Sequence, residues 1–162
     1  MDTMSKSVMY IAPERAALEE NLLYIKFCQS IRRKVFVEGQ GVAEEIDFDG
    51  NDLVSGHLLI YVDGSAVGTA RIRKTTRGTK LERIAVLPSH RGQGLGELLI
   101  RCALALIEDE VYIHAQMASL GFYTHLGFVQ EKAEIFYEAN IPHTAMIYPH
   151  PRGELPCEIT RL

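Results

Sequence analysis

The stretch from Leu81 to Gly96, which reads LERIAVLPSHRGQGLG, constrains the fold more than any other part of the chain. Its first half is rich in apolar residues and stops at Pro88, as a strand does. Its second half leads into apolar residues at helical spacing: Leu95, Leu98, Leu99, Cys102 and Leu106. The stretch therefore predicts a strand, a turn and a glycine-rich helix start.

The glycines of this helix start, Gly92, Gly94 and Gly96, point to a ligand. Each glycine weakens a helix by roughly 1 kcal/mol relative to alanine, but glycine lets another group come close to the backbone. A helix N-terminus has unpaired N–H groups and about half a positive charge. The expected ligand is an anion such as a pyrophosphate.

Length and composition favour one globular domain over residues 1–162, because a chain of this size can bury a full core. The net charge of -4 argues against general nucleic-acid binding. No apolar run is long enough for a membrane span, and the N-terminus lacks a signal peptide pattern. Cys28, Cys102 and Cys157 are widely spaced, which favours reduced thiols in a cytoplasm over disulfides or a zinc site.

The rest of the chain alternates short strands and helices. Before the central stretch we predict a strand, one or two amphipathic helices and a hairpin that turns at Asp63-Gly64: Val8 to Ala12, Glu14 to about Val37, His57 to Val62 and Ala66 to Lys74. After the central strand we predict a helix over Leu95 to Ile107, a strand over Val111 to Ala115 and a short helix over Met117 to Leu126. Two more strands follow, one that starts at Phe128 and a last one over His143 to Tyr148. The tail, residues 149–162, has no predicted structure.

An acidic segment lies between Gly39 and Gly56 and contains no basic residue. Its carboxylates are Glu44, Glu45, Asp47, Asp49 and Asp52. A calcium loop is excluded, because Asp52 stands where that loop needs glycine and Leu58 where it needs a bidentate glutamate. Two interpretations stay open: a solvated loop, or an entrance that attracts a cationic substrate.

Two common phosphate-binding loops do not fit RGQGLG. A Walker A loop is excluded because no lysine follows Gly96. A Rossmann loop is excluded because Glu97 stands where its third glycine should be, and because tight hairpins precede the stretch.

The stretch resembles the pyrophosphate motif of the GNAT N-acetyltransferases, [Q/R]-x-x-G-x-[G/A], with Arg91, Gly94 and Gly96 at its positions. Downstream, ASLGFYTHLGF resembles the family's second signature, A-x-x-x-x-Y-x-x-x-G-F, whose tyrosine falls on Tyr123. The segments RRKVFVEGQGVAEEIDFDGND, GTARI, LERIAVLP and FYEANIPHTAM are similar in order and spacing to the ElaA-like branch. One departure lies in the first segment, where Gly39 and Ala43 replace the branch's glutamate and proline.

The resemblance implies an α/β (α+β) GNAT fold: a mixed, mostly antiparallel, twisted sheet of six to seven strands flanked by helices. It implies an enzyme that moves an acetyl group from acetyl-CoA to a primary amine by direct attack, with no metal. Residues expected to bind the coenzyme are Ile84, Ala85, Val86, Arg91, Gly92, Gln93, Gly94, Leu95, Gly96, Gln116 and Tyr123. Relatives often pair, which leaves a homodimer as one alternative.

In family terms Tyr123 is the acid that protonates the departing thiolate. The base is Glu82 in our first interpretation, because strand parity places it on the same face as Ile84. The difficulty with Glu82 as the base is that the pKa of an alkyl amine exceeds that of a carboxylate by about 6 units, so the proton transfer is strongly uphill. His125 and His143 are alternatives with a better matched pKa.

Two other function classes remain: a non-catalytic acyl-CoA-binding regulatory module, and a nucleotide-binding protein. The acceptor also stays open. The acidic segment favours a polyamine or a lysine side chain, whereas three basic residues suit an amino-sugar phosphate: Arg71, Arg73 and Lys74.

Overall fold

One sheet of nine strands runs through residues 5–162, the part of the chain that the computed structural model describes. Along the chain, β1 to β9 are Lys6–Ile11, Gly56–Val62, Ser65–Lys74, Thr79–Val86, Val111–Gln116, Val129–Gln130, Phe136–Glu138, Ile141–Ile147 and Ile159–Arg161. In space they lie in the order β6-β8-β5-β4-β3-β2-β1-β9, and β7 also pairs with β8. The pairs β4–β5 and β1–β9 are parallel and the other pairs antiparallel. The predicted mixed, mostly antiparallel sheet is confirmed.

Helices cover both faces of this sheet. The α-helices α1 to α4 are Leu22–Arg32, Glu44–Asp47, Leu95–Leu106 and Leu120–His125, and α1 continues as a π-helical stretch, Arg33–Glu38. The side chains of β2 alternate between the two faces: Leu58 and Ile60 pack in the core with α3, whereas Leu59 packs with α1. This explains why β2 reads as a continuous apolar run. Along residues 5–162 no helix is long and apolar enough to cross a bilayer.

The sheet exceeds the six to seven predicted strands because it contains two short strands that were not predicted. β7 and β9 span three residues each, too short to show alternation in the sequence, whereas β6 corresponds to the strand predicted to start at Phe128. β9 lies in the tail that had no predicted structure and pairs with β1. Nε of Arg15 donates a 2.6 Å hydrogen bond to the carbonyl of Leu162, which ties this tail down.

Two cysteines that are distant in the sequence meet where this tail packs against α3. The sulfurs of Cys102 and Cys157 lie 4.0 Å apart, and both thiols are free. Cys102 is fully buried on α3, as its place on the apolar helix face predicts. The spacing of the cysteines gave no sign of this contact, because the tail reaches α3 only in the folded chain.

A bulge in β4 changes which of its side chains share a face. Glu82 pairs with Arg71 and Ala85 with Thr69, so three steps along β4 match two steps along β3. Arg83 has a φ of 52°, the left-handed conformation that such a bulge uses. The parity argument for Glu82 is therefore wrong: it lies on the face of Ala85.

Candidate active site

A cleft opens where β4 and β5 separate. The two strands pair at Thr79–Val111 and Lys80–Tyr112 and then diverge. The resulting cavity, about 590 Å³, is the central cleft. Its walls are β4, β5, the end of the helical stretch that follows α1, and the turn between β7 and β8. Beyond Lys80, the edge of β4 that faces the cleft offers backbone groups to a ligand that extends along it.

The glycine loop, residues 91–96, lies next to the cleft at the start of α3. Gly92 and Gly94 have φ values of 80° and 76°, which non-glycine residues rarely adopt. An added Cβ at either position would meet no atom within 4 Å, so the backbone conformation, and not close packing, requires glycine there. Gly96 differs, because a Cβ there would contact the Phe122 ring at 3.5 Å.

The start of α3 leaves amides free for an anion. The bond from the Leu98 amide to the Gly94 carbonyl, 3.0 Å long, is the first of the helix. The preceding amides therefore have no partner within the helix, and the helix dipole adds positive charge at this end. Among the loop's side chains, Leu95 is buried in the core and can contribute only its backbone.

Arg91 joins the glycine loop to the cleft. Its side chain is exposed, lines the cleft, and donates from Nε to the carbonyl of Val86 at 3.2 Å. Ile84 and Ala85 line the same wall. The structure thus brings the predicted strand residues and the predicted basic residue to one side of the cleft.

Tyr123 lies on α4 and lines the cleft. Its ring packs edge-on against Phe122 and Phe128, with centroids 5.3 and 5.7 Å away. Burial raises the pKa of Tyr123 to about 12. The phenol is therefore protonated at neutral pH, as a general acid must be before it acts.

Gln116, at the end of β5, is bonded to Gln40 across the mouth of the cleft. Gln116 Nε2 donates to Gln40 Oε1 at 2.9 Å, and Gln40 Nε2 donates back at 3.4 Å. We call this pair the glutamine clasp. A ligand amide that uses the same two positions of Gln116 competes with Gln40 for them.

Glu82 lines the cleft but is surrounded by cations. Nε of Arg71 and Nε of Arg73 each donate to it at 2.8 Å, and Nζ of Lys80 lies 3.4 Å away. Burial alone would raise the pKa of Glu82, but these hydrogen bonds and charges lower it to about 2. Such a carboxylate is poorly matched to the general-base role that we predicted, since a base works best with a pKa near the working pH.

The acidic segment supplies counter-ions to buried arginines. Arg32 and Arg71 are fully buried, and Arg83 is partly exposed. They pair with three carboxylates of the segment, Asp47, Asp49 and Asp52, at distances of 2.6 to 3.3 Å. With Glu82 these residues form what we call the ion-pair cluster.

The interpretation as a solvated loop is therefore wrong for these aspartates. Asp47 and Asp49 do line the central cleft, but their charges are paired with arginines of the cluster and are not free to attract a cationic substrate. The signal in the sequence was Arg71, which stands between the apolar residues Ala70 and Ile72, whereas Arg32 opens the basic run Arg32-Arg33-Lys34 and gave no such signal. A buried arginine needs carboxylate partners, and the acidic segment contains them.

Sequence reasoning missed a histidine–carboxylate pair in the cleft. His114 Nδ1 lies 2.6 Å from Glu138 Oε1. The signal was the spacing His-Ala-Gln, because a strand places His114 on the face of Gln116. Of the predicted alternatives, His143 lines the cleft, whereas His125 is exposed at the end of α4.

No group of three or more His, Cys, Asp or Glu residues within residues 5–162 is placed to hold a metal ion.

Comparison with known proteins agrees with this geometry. Residues 30–149 match the family model described as an acetyltransferase (GNAT) domain. YyaT, an uncharacterized protein of Bacillus subtilis, is 36% identical over 123 residues, which cover 72% of this chain and 82% of YyaT. The structure of an acyl-CoA N-acyltransferase from Pseudomonas aeruginosa is similar with a TM-score of 0.71 at 29% identity, covering 90% of this chain and 99% of that one. Escherichia coli ElaA has the same TM-score and coverage at 24% identity, which confirms the expected likeness in fold.

Proposed function

Because the chain belongs to the GNAT acetyltransferase family, we propose that it moves an acetyl group from acetyl-CoA to a primary amine. The observation that carries this proposal is the central cleft, which is lined by an open strand edge and by the half-buried Tyr123, and at which Arg91 leads into the glycine-rich start of α3. The amine attacks the thioester carbonyl directly, so that no acyl group is transferred to the protein. β1 and β9 lie outside the matched range yet belong to the same sheet, and we propose that residues 1–162 act as one domain.

The coenzyme is proposed to lie along one side of this cleft. The backbone amides of Gly92 to Gly96 hold the pyrophosphate, helped by Arg91. The pantetheine arm pairs with the edge of β4 at Ile84, Ala85 and Val86, since its two amides match the donors and acceptors of a strand. Gln116 binds a pantetheine amide after it leaves Gln40.

Tyr123 is proposed as the general acid. The CoA thiolate that leaves the thioester needs a proton, and the protonated phenol of Tyr123 can donate one. The transfer runs uphill, since the usual thiol pKa is near 8.5. It therefore depends on contact between the phenol and the sulfur.

A thiol-release assay with acetyl-CoA tests the reaction. The panel of acceptors contains small alkyl amines, a polyamine, amino sugars and lysine peptides. We expect release above the hydrolysis background with at least one of them, and calorimetry should show tighter binding of CoA than of ATP. Acetyl-CoA binding without release from any amine would support the non-catalytic module, and tighter ATP binding would support the nucleotide-binding class.

Replacing Tyr123 with Phe tests the acid. We expect kcat to fall about 100-fold with little change in acetyl-CoA affinity, because the ring's packing is kept and only the proton is lost. The matched control is Tyr137→Phe, since Tyr137 lies on β7 with 71% of its surface exposed. An unchanged kcat in Tyr123→Phe would contradict the acid role.

A further inference from the structure

His114 and Glu138 form a side-chain pair of their own in the central cleft. His114 Nδ1 lies 2.6 Å from Glu138 Oε1, and both residues line the cavity. His114 precedes Gln116 by two residues on β5, so strand alternation places both side chains on one face. The imidazole therefore lies next to the proposed position of the pantetheine arm.

The contacts of the imidazole define its tautomer and orientation. A carboxylate only accepts hydrogen bonds, so Nδ1 carries the proton and donates it to Glu138. Nε2 is then the basic nitrogen. Phe136 packs edge-on against the ring with centroids 4.9 Å apart. The ring of Tyr112, two residues before His114 on β5, lies with its centroid 5.8 Å from that of the imidazole. A carboxylate that orients an imidazole in this way is the arrangement of base and orienter in hydrolase triads.

Other candidate bases in the cleft are engaged elsewhere. Glu82, Asp47 and Asp49 are all held by arginines of the ion-pair cluster. His143 donates from Nδ1 to the carbonyl of Ile141 at 2.7 Å, and only 8% of its surface is exposed. His114 has both an ionised partner and a side chain partly open to the cleft.

We propose that His114 is the general base of the reaction and that Glu138 is its positioning residue. The proposal rests on the proposed function and names a residue for the step that function leaves open. An alkyl ammonium has a pKa near 10.4 and an imidazole one near 6.5, so the gap is about 4 instead of the 6 that a carboxylate faces. Proton transfer to imidazole is accordingly less uphill than transfer to Glu82.

Nε2 of His114 takes one proton from the acceptor's ammonium group, and the free amine attacks the thioester carbonyl. A C–N bond forms and the C–S bond breaks, and Tyr123 gives its proton to the departing thiolate. The nitrogen then loses its second proton, which restores Tyr123, and His114 releases the first proton to solvent.

Three further titratable groups surround the pair of His114 and Glu138. Lys80 on β4 and His143 on β8 lie near enough to Glu138 for their charges to favour its ionised form, and Tyr112 packs beside the imidazole ring. The hydrogen bond from His114 holds the pKa of Glu138 below its usual range, and the charge of Lys80 adds to this. Glu138 is therefore ionised at neutral pH.

The test is His114→Asn, assayed by thiol release from acetyl-CoA with the fastest amine of the panel. Asn keeps a donor near the position of Nδ1 and can still bond Glu138, but it takes up no proton. We expect kcat/KM at pH 7 to fall about 100-fold, with acetyl-CoA affinity unchanged by calorimetry. The loss should shrink about tenfold for each pH unit gained, because solvent then deprotonates the amine itself.

Two further variants separate a base from a structural role. Glu138→Gln should move the acid limb of kcat/KM to lower pH, since the imidazolium loses its counter-ion. His125→Asn is the matched control, because His125 is exposed on α4 outside the cleft, and its profile should match the unmodified enzyme.

The outcomes distinguish this assignment from the proposed function. A loss in His114→Asn that is equal at every pH, or an unchanged profile, would overturn the base assignment and leave acetyl transfer intact. Lack of turnover by the unmodified enzyme with every amine would overturn the proposed function, and the assignment with it.

Discussion

The two sides of the central cleft are built in opposite ways. On the coenzyme side, α3 presents amides with no partner inside the helix, and Arg91 is exposed. On the charged side, Arg71 is fully buried and bonded to Glu82, Asp49 and Asp52. One side keeps its polar groups available for a ligand, and the other pairs them within the protein.

This contrast separates binding from stability. A polar group that is exposed for ligand binding contributes little to the free energy of unfolding, since water forms its hydrogen bonds in both the folded and the unfolded state. A buried charge with protein partners is costly to disturb, because removing one partner leaves the others uncompensated. Substitutions on the coenzyme side should therefore change affinity, and substitutions in the ion-pair cluster should change stability.

The largest expected effect is that of Arg71→Met compared with Arg91→Met. Arg71→Met should lower the free energy of unfolding by about 3–5 kcal/mol, because it leaves buried carboxylates without a counter-ion. Arg91→Met makes the same chemical change at an exposed position and should alter stability by less than about 0.5 kcal/mol. Denaturant unfolding measures both values.

Calorimetry measures how the arginine substitution at the glycine loop changes the affinity for acetyl-CoA. Arg91→Met should weaken binding several-fold, since it removes a charged partner of the pyrophosphate. Equal losses of stability in the two variants would break the contrast between the two sides.

The sequence predicts these two sides unequally well, for a physical reason. The glycine loop is recognisable in the sequence because its determinants are local. The left-handed conformation of Gly92 and Gly94 requires glycine at both positions, and both lie within one motif of six residues. The ion-pair cluster is not local, since Arg71 and Asp49 are 22 residues apart, and no spacing rule relates them. The pair of His114 and Glu138, 24 residues apart, escaped prediction for the same reason.

The bulge in β4 shows a further limit of sequence patterns. Alternation assigns faces correctly only while a strand is regular. The left-handed Arg83 inserts one residue and moves Glu82 to the opposite face, although nothing about an arginine favours that conformation. Tertiary pairing with β3 imposes it.

A smaller effect is expected from Gly94→Ala. Alanine in a left-handed conformation costs roughly 1–2 kcal/mol, so the loop should shift or the protein lose about that much stability. Acetyl-CoA affinity should fall about tenfold, because the amides at the start of α3 no longer converge. Gly153→Ala is the control, since Gly153 lacks a positive φ and a Cβ there has open space. Unchanged affinity in Gly94→Ala would mean that the pyrophosphate does not use this loop.

The smallest effect concerns the glutamine clasp, which joins the end of β5 to the helical segment that follows α1. If pantetheine replaces Gln40 as the partner of Gln116, then Gln40→Ala removes a competitor and Gln116→Ala removes the binding group. The two variants should therefore change acetyl-CoA affinity in opposite directions, each by about 2- to 5-fold, as expected for a net hydrogen bond of about 0.5–1 kcal/mol. Isothermal titration at low salt resolves such differences. Weaker binding in both variants would show instead that the intact clasp, and not Gln116 alone, holds the coenzyme.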